Sequence, residues 1–454
     1  MASTYLTRTF AQAGNRRTFT ISYWIKMGYV STAADGAIMG AAQDGSNSDD
    51  LYIHSGRLNF SGYYGSEAYT VRTTAKYRDL SGWYHHVIRF DSTQSIASDR
   101  VRLYVNGELQ TALDNNTYPT QNLETQWFNT ARVHAIGSLG YSLPGLPFNG
   151  SMSHFHFCDG YSYGADSFGQ TDANGVWTIK TSPSVTYGTN GFFILKDGNS
   201  VTDQSGNGNN WSVGGGTLTN TEDNPSNVFA TLNPLASSST PIFGNGNTYV
   251  ECNSLNSWNL GVPATLVMPS GGKFYWEVKN EDATYPNYLI PAFIKASYYS
   301  NLINGNGMSS FFVNSNGYMN GIQTGGGNTD LQVYRAGSNQ STESFPYLNG
   351  DIVSFAVDLV NRKAWFAKNG TWLNSGDPVN GTNETWSTSD IDANTDYVPT
   401  LFYYYTAKGS VNFGNGYFKT TAVASAGTNA SGNGIFEYDV PTGFTALSTK
   451  GLNL

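Results

Sequence analysis

Side chains step in twos along short stretches of this chain, a period that admits β-strands and excludes helices as the main element. In Asp351–Leu359 (DIVSFAVDL), Val353, Phe355, Val357 and Leu359 share one face, while Ile352, Ser354, Ala356 and Asp358 share the other. The first set reads as core. The same grammar runs through Phe19–Lys26 (FTISYWIK), Trp83–Phe90 (WYHHVIRF), Val101–Val105 (VRLYV), Met152–Phe157 (MSHFHF), Gly272–Lys279 (GKFYWEVK), Lys363–Ala367 (KAWFA) and Val398–Tyr405 (VPTLFYYY). Asn106-Gly107 follows VRLYV directly, and a type I′ turn needs positive φ at both central positions. The spacing therefore predicts a hairpin over Val101–Gln110. Asp358–Asn361 and Lys368-Asn369-Gly370 predict two further reversals, and Asp44–Asp50 and Ser61-Gly62 read as turns. No period of 20 to 50 residues marks a solenoid or propeller.

Composition points the same way. Aromatic residues make up 14% of the chain and charged residues 13%, with 51 glycines, so helix-surface residues are scarce and strand and turn residues abundant. The fold class expected is all-β: two consecutive antiparallel β-sandwiches, because 454 residues exceed what one core usually supports. The expected boundaries are 1–165 for the first sandwich, 166–245 for an extended connection packed on it, and 246–454 for the second. Within the connection, Asp203–Asn210 (DQSGNGNN) and Gly214-Gly215-Gly216 cannot hold a helix. Ala236–Thr240 (ASSST) reads as linker, whereas Gly191–Leu195 (GFFIL) and Trp211 are apolar enough to pack.

A charge of −9, from 33 acids and 24 bases, argues against a nucleic-acid partner. No apolar run approaches the ~18 residues that span a bilayer, so no membrane insertion is expected. Cys158 and Cys252 are the only cysteines, and no disulfide framework is expected.

FTISYWIK, WYHHVIRFD, VRLYVNGEL and FNGSMSHFHFCDG, in this order, resemble a laminin-G-like or concanavalin-A-like lectin domain over about residues 1 to 165. The resemblance implies a jelly-roll sandwich whose concave face or rim loops bind sugars or proteins. The second half resembles a SPRY domain through GGKFYWEVK (Gly271–Lys279), GDIVSFAVDLVNRKAWFAKNG (Gly350–Gly370), Val398–Leu401, VNFG (Val411–Gly414) and PTGFTAL (Pro441–Leu447). That implies a protein-recognition sandwich without catalytic chemistry. It departs from the pattern between about Glu281 and Gly327, where specificity loops would sit. The pairing of the two modules, joined by Ser167–Leu235, is similar to virion proteins of tailed phages, especially from aquatic hosts. The N-terminal MASTYLTRTF lacks a secretion pattern, which suits a protein folded in host cytoplasm and released by lysis.

No catalytic residues are expected. The E-x-D-x-x-E strand of lectin-fold glucanases is absent, and Glu437–Thr442 lacks its last acid. His154 and His156 share a strand face, but Phe155 and Phe157 claim the core and leave the histidines on the wetter side, with no complete ligand set for a transition metal. His85 and His86 point to opposite faces. Cofactors are expected to be none, with calcium left open at the acidic loops Asp44–Asp50 and Asp197–Asn209; Asx-turns account for both more simply. Tyrosine faces stack on sugars and supply interface area at low entropic cost. The candidate carbohydrate- or partner-binding residues are Tyr63 and Tyr64 in the first domain and Tyr285, Tyr288, Tyr298 and Tyr299 in the second. Trp24, Trp83, Trp276 and Trp365 read as structural.

The expected function is a non-enzymatic phage virion protein, as fibre, tail appendage or capsid decoration, that binds host surface glycan or neighbouring virion proteins. A glycan depolymerase and a purely structural decoration are the alternatives. Expected partners are other virion proteins and host surface polysaccharide, with room for a homo-oligomer.

Overall fold

A computed structural model describes residues 3–29, 34–196, 200–237, 241–252, 261–303, 319–324, 330–335, 338–424 and 426–453. The protein is 45% strand and 6% helical, as the period-two patterning requires. It forms two compact units, Met1–Asn220 and Thr221–Leu454.

The larger sheet of the first unit has eight strands. Their spatial order is Leu113–Thr117, Glu67–Thr73, Arg57–Tyr64, Asn47–His54, Ala34–Asp44, Val133–Ile136, Tyr5–Thr9 and Ser212–Gly215. The smaller sheet runs Phe192–Ile194, Gly150–Asp159, Thr18–Met27, Tyr84–Asp91, Val101–Val105 and Glu108–Leu109. Phe19, Ile21, Tyr23 and Ile25 of the smaller sheet meet Leu51, Ile53, Leu58 and Phe60 of the larger in one apolar core. Phe19 and Phe90 stack at 4.8 Å between centroids, and Phe60 meets both edge-on at 6.4 and 6.0 Å. Such ring pairs add roughly 0.5–1.5 kcal/mol each beyond area burial. The predicted hairpin forms, with Asn106 and Gly107 at φ 48° and 85°.

The outer face of the smaller sheet is covered. Val87 and Cys158 lie under Ala165 and Phe168, and Trp177 stacks on His85 while its Nε1 donates to His85 Nδ1 at 3.0 Å. This corrects one expectation. His154 and His156 are buried rather than wet, because a β-bulge between Ser153 and His156 turns the strand and His156 stacks on Phe193 at 3.9 Å. Burial pushes His85 and His86 down to about 3, so both are neutral.

In the second unit the larger sheet runs Ile242–Gly244, Tyr249–Glu251, Lys408–Asn412, Lys273–Asn280, Ile352–Asp358, Lys363–Lys368 and Thr371–Trp372, with Thr445–Ala446 parallel to Lys273–Asn280. The smaller sheet runs Gly261–Pro263, Tyr397–Tyr403, Leu289–Lys295, Met319–Thr324, Leu331–Arg335 and Ser338–Glu343. Trp276 stacks on Phe355 at 5.0 Å and meets Phe293 edge-on at 6.4 Å, joining the two sheets. All of Ile352–Asp358 is buried. Val353, Phe355 and Val357 face the sandwich core, and Ala356 lies with Trp365 and Tyr275 beneath Phe436, Val440 and Phe444 of the C-terminal segment.

The segment expected as one connection over 166–245 is divided: residues to Asn220 belong to the first unit and those from Thr221 to the second, where Ala230 and Leu232 enter the core. Of the expected linker Ala236–Thr240, residues 238–240 lie outside the described residues. Trp24, Trp83, Trp276 and Trp365 are buried. Both cysteines are buried free thiols. No described helix is long and apolar enough to cross a membrane.

Glu277 anchors the C-terminal segment. Its fully buried carboxylate accepts from Glu437 N and Tyr438 N at 2.9 Å each, from Tyr275 Oη at 3.1 Å and from Asn412 Nδ2 at 3.1 Å. Burial outweighs these bonds and pushes Glu277 up to about 7. Glu277→Ala leaves the amides of Glu437 and Tyr438 without an acceptor, while Tyr275 Oη and Asn412 Nδ2 keep Ser354 Oγ and Ile435 O, and is expected to cost on the order of 3 kcal/mol in chemical denaturation. Limited proteolysis should cut first within residues 423–453 in that variant.

Candidate functional site

The outer face of the larger sheet in the first unit is polar, unlike the covered faces just described. Strand register aligns Gly40, Asp50, Ser61, Thr70 and Thr117 in one row across five strands. The next row holds Tyr52, Asn59, Arg72 and Asn115, and the row on the other side holds Ser48 and Tyr63. All of these alternate with Leu51, Ile53, Leu58, Phe60 and Val71, which point into the core. A line of short polar side chains thus runs across the strands between the longer Tyr63 on one flank and Tyr52 and Arg72 on the other. Its Gly40 end is closed by the turn Leu139–Gly145: a Cβ on Gly40 would lie 2.6 Å from Gly140 N and 3.0 Å from Asp50 Oδ1.

Hydrogen bonding along this row is incomplete. Asp50 Oδ1 and Thr70 Oγ1 in this row and Asn59 Oδ1 in the next are buried and have no partner among the described residues. Such atoms are uncommon in folded chains and mark places where a ligand or water completes the bonding. Asp50, 7% exposed, is pushed up to about 7 by burial, against a hydrogen bond from Ser48. Burial and the nearby Asp50 also raise Tyr141 above the usual phenol range, placing a second hydroxyl beside this carboxyl. Two further carboxylates lie here: Asp114 accepts from Arg72 Nε at 2.7 Å and faces Arg57 at 3.9 Å, and Glu67, paired with Tyr63, accepts from Asn115 Nδ2 at 3.3 Å.

The sequence-predicted tyrosines separate into four groups. Tyr63, 37% exposed, flanks the polar row. Tyr64 is turned inward, where its hydroxyl donates to Asp49 Oδ1 at 2.8 Å. Asp49 also accepts from Tyr69 Oη and from the amides of Trp127 and Phe128, so Tyr64 belongs to a buried network that fixes the loop at 127–128. Tyr298 and Tyr299 pack against the core of the second unit, and Tyr299 Oη accepts from Asn233 Nδ2. Tyr285 and Tyr288 come together with Tyr404 and Tyr405, which the pattern had assigned to a strand. The strand ends at Tyr403, and Tyr405 takes a φ of 53°. Tyr405 stacks on Tyr285 at 5.3 Å and meets Tyr288 at 5.0 Å, giving a four-ring cluster.

Two turn assignments hid the polar row. Asp44–Asp50 is a turn only at Gly45-Ser46, and the strand begins at Asn47. Ser61-Gly62 lies inside the strand Arg57–Tyr64, where glycine is required because a Cβ would sit 2.3 Å from the Tyr69 ring. The alternation Ser48, Asp50, Tyr52, His54 was the available signal.

In the described part of the two acidic loops the carboxylates serve Asx-type turns. Asp44 Oδ1 accepts from Ser46 N and Asn47 Nδ2, and both Asp203 oxygens accept from Phe193, Ser205 and Asn209. Residues 197–199 of the second loop lie outside the described residues. Among the described residues no group of three or more His, Cys, Asp or Glu could hold a metal ion.

Residues 2–161 match the family model Laminin_G_3, described as the concanavalin A-like lectin/glucanases superfamily. The SPRY domain of human HERC1 is similar at 15% identity and a TM-score of 0.29, over 40% of this chain and 96% of that one. Domains LG4-5 of the mouse laminin alpha1 chain are similar at 10% identity and a TM-score of 0.28, over 89% of this chain and 84% of that one. Domain 4 of AbnA, an extracellular arabinanase from Geobacillus stearothermophilus solved with arabinotriose, is similar at 17% identity and a TM-score of 0.26, over 33% of this chain and 64% of that one. No curated protein matches.

Asp50 binds its proton more tightly in the folded protein than in the unfolded chain, so ionising it costs folding free energy as pH rises from about 4 towards about 7. Asp50→Asn removes that cost. Urea denaturation between pH 4 and pH 8 is expected to show the variant gaining roughly 2–4 kcal/mol relative to the parent. Glu277, shifted in the same direction, cancels in the comparison.

Proposed function

We propose that this chain is a non-enzymatic, glycan-binding component of a tailed-phage particle, exposed as a fibre, tail appendage or capsid decoration. Its glycan site is the polar row of the first unit. The observation that carries this reading is the set of buried, unpartnered acceptors at Asp50, Asn59 and Thr70, flanked by Tyr52 and Tyr63. A saccharide supplies a C–H face for the rings and hydroxyl donors for acceptors that are closed to solvent in the free protein and that docking uncovers.

The non-enzymatic reading is supported by the engagement of the other carboxyl groups around Asp50: Glu67 accepts from Asn115 Nδ2 at 3.3 Å, and Asp44 accepts from Ser46 N and Asn47 Nδ2. Glycoside hydrolysis by the common routes needs two carboxyl groups flanking one bond, and Asp114 is held by Arg72 and Arg57. The virion reading is supported by the order of lectin-like and SPRY-like strings along the chain, and by the use of only two cysteines, which are not bridged, a usage that suits a reducing compartment. The four-ring cluster around Tyr405 serves contact with neighbouring virion proteins, where tyrosine is favoured.

Titration calorimetry with host surface polysaccharide is expected to give a dissociation constant in the range of roughly 10 μM to 1 mM. Thr70→Val and Tyr63→Ala should each weaken binding at least about fivefold, the loss of one hydrogen bond or one stacked ring. Unchanged affinity in both variants would remove the row from the site. New reducing ends in the polysaccharide, abolished by Asp50→Asn, would overturn the non-enzymatic reading, and absence of the protein from purified particles would overturn the virion one.

A further inference from the structure

On the same face of the larger sheet, beyond the turn Leu139–Gly145, lies a groove of about 600 Å³. The turn packs over the strand Ala34–Asp44 at Gly40, separating the polar row at Asp50 from this groove, which is floored by Tyr5–Thr9 and the edge strand Ser212–Gly215. Leu6 and Phe10 point into the core, so Tyr5, Thr7 and Thr9 present their side chains outward in a ladder. Ser212 and Gly214 border one side, and Leu143 overhangs from the turn.

The floor is built around the Tyr5 ring. A Cβ at Gly214 or Gly215 would lie 2.4 or 2.7 Å from its ring carbons, so only bare backbone lets the ring rest there. The edge strand is tied down beside it, since Thr4 Oγ1 donates to Thr217 O at 2.9 Å and accepts from Thr217 N at 3.1 Å. The groove offers an aromatic surface and three hydroxyls. Its one charged lining residue, Arg8, turns its guanidinium to Asn210 O and Asn209 Oδ1 and lies over the Phe10 ring. Asp203 acts on the same guanidinium and offsets part of its charge, so an anionic ligand would gain little here against the hydration it loses.

We propose that this groove is a second saccharide site that takes a neutral sugar unit stacked on Tyr5 and hydrogen-bonded by Thr7, Thr9 and Ser212. It is distinct from the polar row at Asp50, Ser61 and Thr70. The proposal rests on the glycan-binding reading above, and its volume lies within the range of small-ligand sites.

The test uses the full chain with two neutral probes, laminaritriose and maltotriose, and one acidic probe, trigalacturonic acid, by saturation-transfer NMR and titration calorimetry. At least one neutral trisaccharide is expected to bind the groove, with at least tenfold weakening in Tyr5→Ala and in Gly214→Val, whose Cβ displaces the ring. Thr7→Val preserves shape and should weaken binding about threefold, keeping the test valid if Gly214→Val fails to fold. Tyr63→Ala and Thr70→Val should leave this site intact. Unchanged neutral-sugar binding in Tyr5→Ala and Thr7→Val, with loss only in Tyr63→Ala and Thr70→Val, would overturn the groove while leaving the polar row standing. Equal groove binding of trigalacturonic acid would overturn its neutral selectivity, and no binding of any saccharide would overturn both sites.

Discussion

In each unit two sheets close on each other through interlocked aromatic rings, Phe19 with Phe60 and Phe90 in the first and Trp276 with Phe293 and Phe355 in the second. That closure uses one face of every sheet and leaves another to be disposed of. Burying a second face demands apolar side chains and extra chain to cover them. The smaller sheet of the first unit meets the demand with residues 161–195, and the larger sheet of the second with the C-terminal segment held by Glu277. The larger sheet of the first unit carries Asp50, Asn59, Ser61 and Thr70 on its second face instead. Selection for stability alone has no use for buried acceptors without donors, since each costs free energy.

The covering segments also set the electrostatics. Desolvation drives the buried histidines of the first unit to the neutral form and holds Asp50 and Glu277 far above the ordinary carboxylate range. The two acids differ in what surrounds them. Glu277 is surrounded by four donors and works as an anchor; Asp50 keeps one oxygen unsatisfied and borders the turn at Gly140 and Tyr141. Shifts in the same direction therefore accompany a structural role in one place and the proposed binding role in the other, and the donor count tells them apart.

Much of the fold was legible from local chemistry. Alternation located the strands at Phe19–Lys26, Trp83–Phe90 and Asp351–Leu359, and Asn106-Gly107 announced its hairpin because positive φ at two successive positions is cheap only for such residues. Of the candidate site, Tyr63, Tyr285 and Tyr288 were legible as tyrosines outside strand cores. Asp50, Ser61 and Thr70 were not, since their residue types speak equally for turns, and Gly62 reinforced that reading although it sits in mid-strand to admit the Tyr69 ring. Tyr64 and Tyr63 are adjacent in sequence and opposite in fate, one bonded to buried Asp49 and the other at the rim of the polar row.

The amino-acid sequence by itself determined the element type, the two-sandwich organisation and the core face of the regularly alternating strands, because all three depend on side-chain period and turn residues within a few positions. Tertiary structure decided which second faces are covered and which stay polar, where the segment 166–245 divides, and which distant rings and acceptors meet. Those outcomes depend on strand order and register between segments far apart in the chain, and a row such as Gly40, Asp50, Ser61 and Thr70 exists only once five strands have lined up.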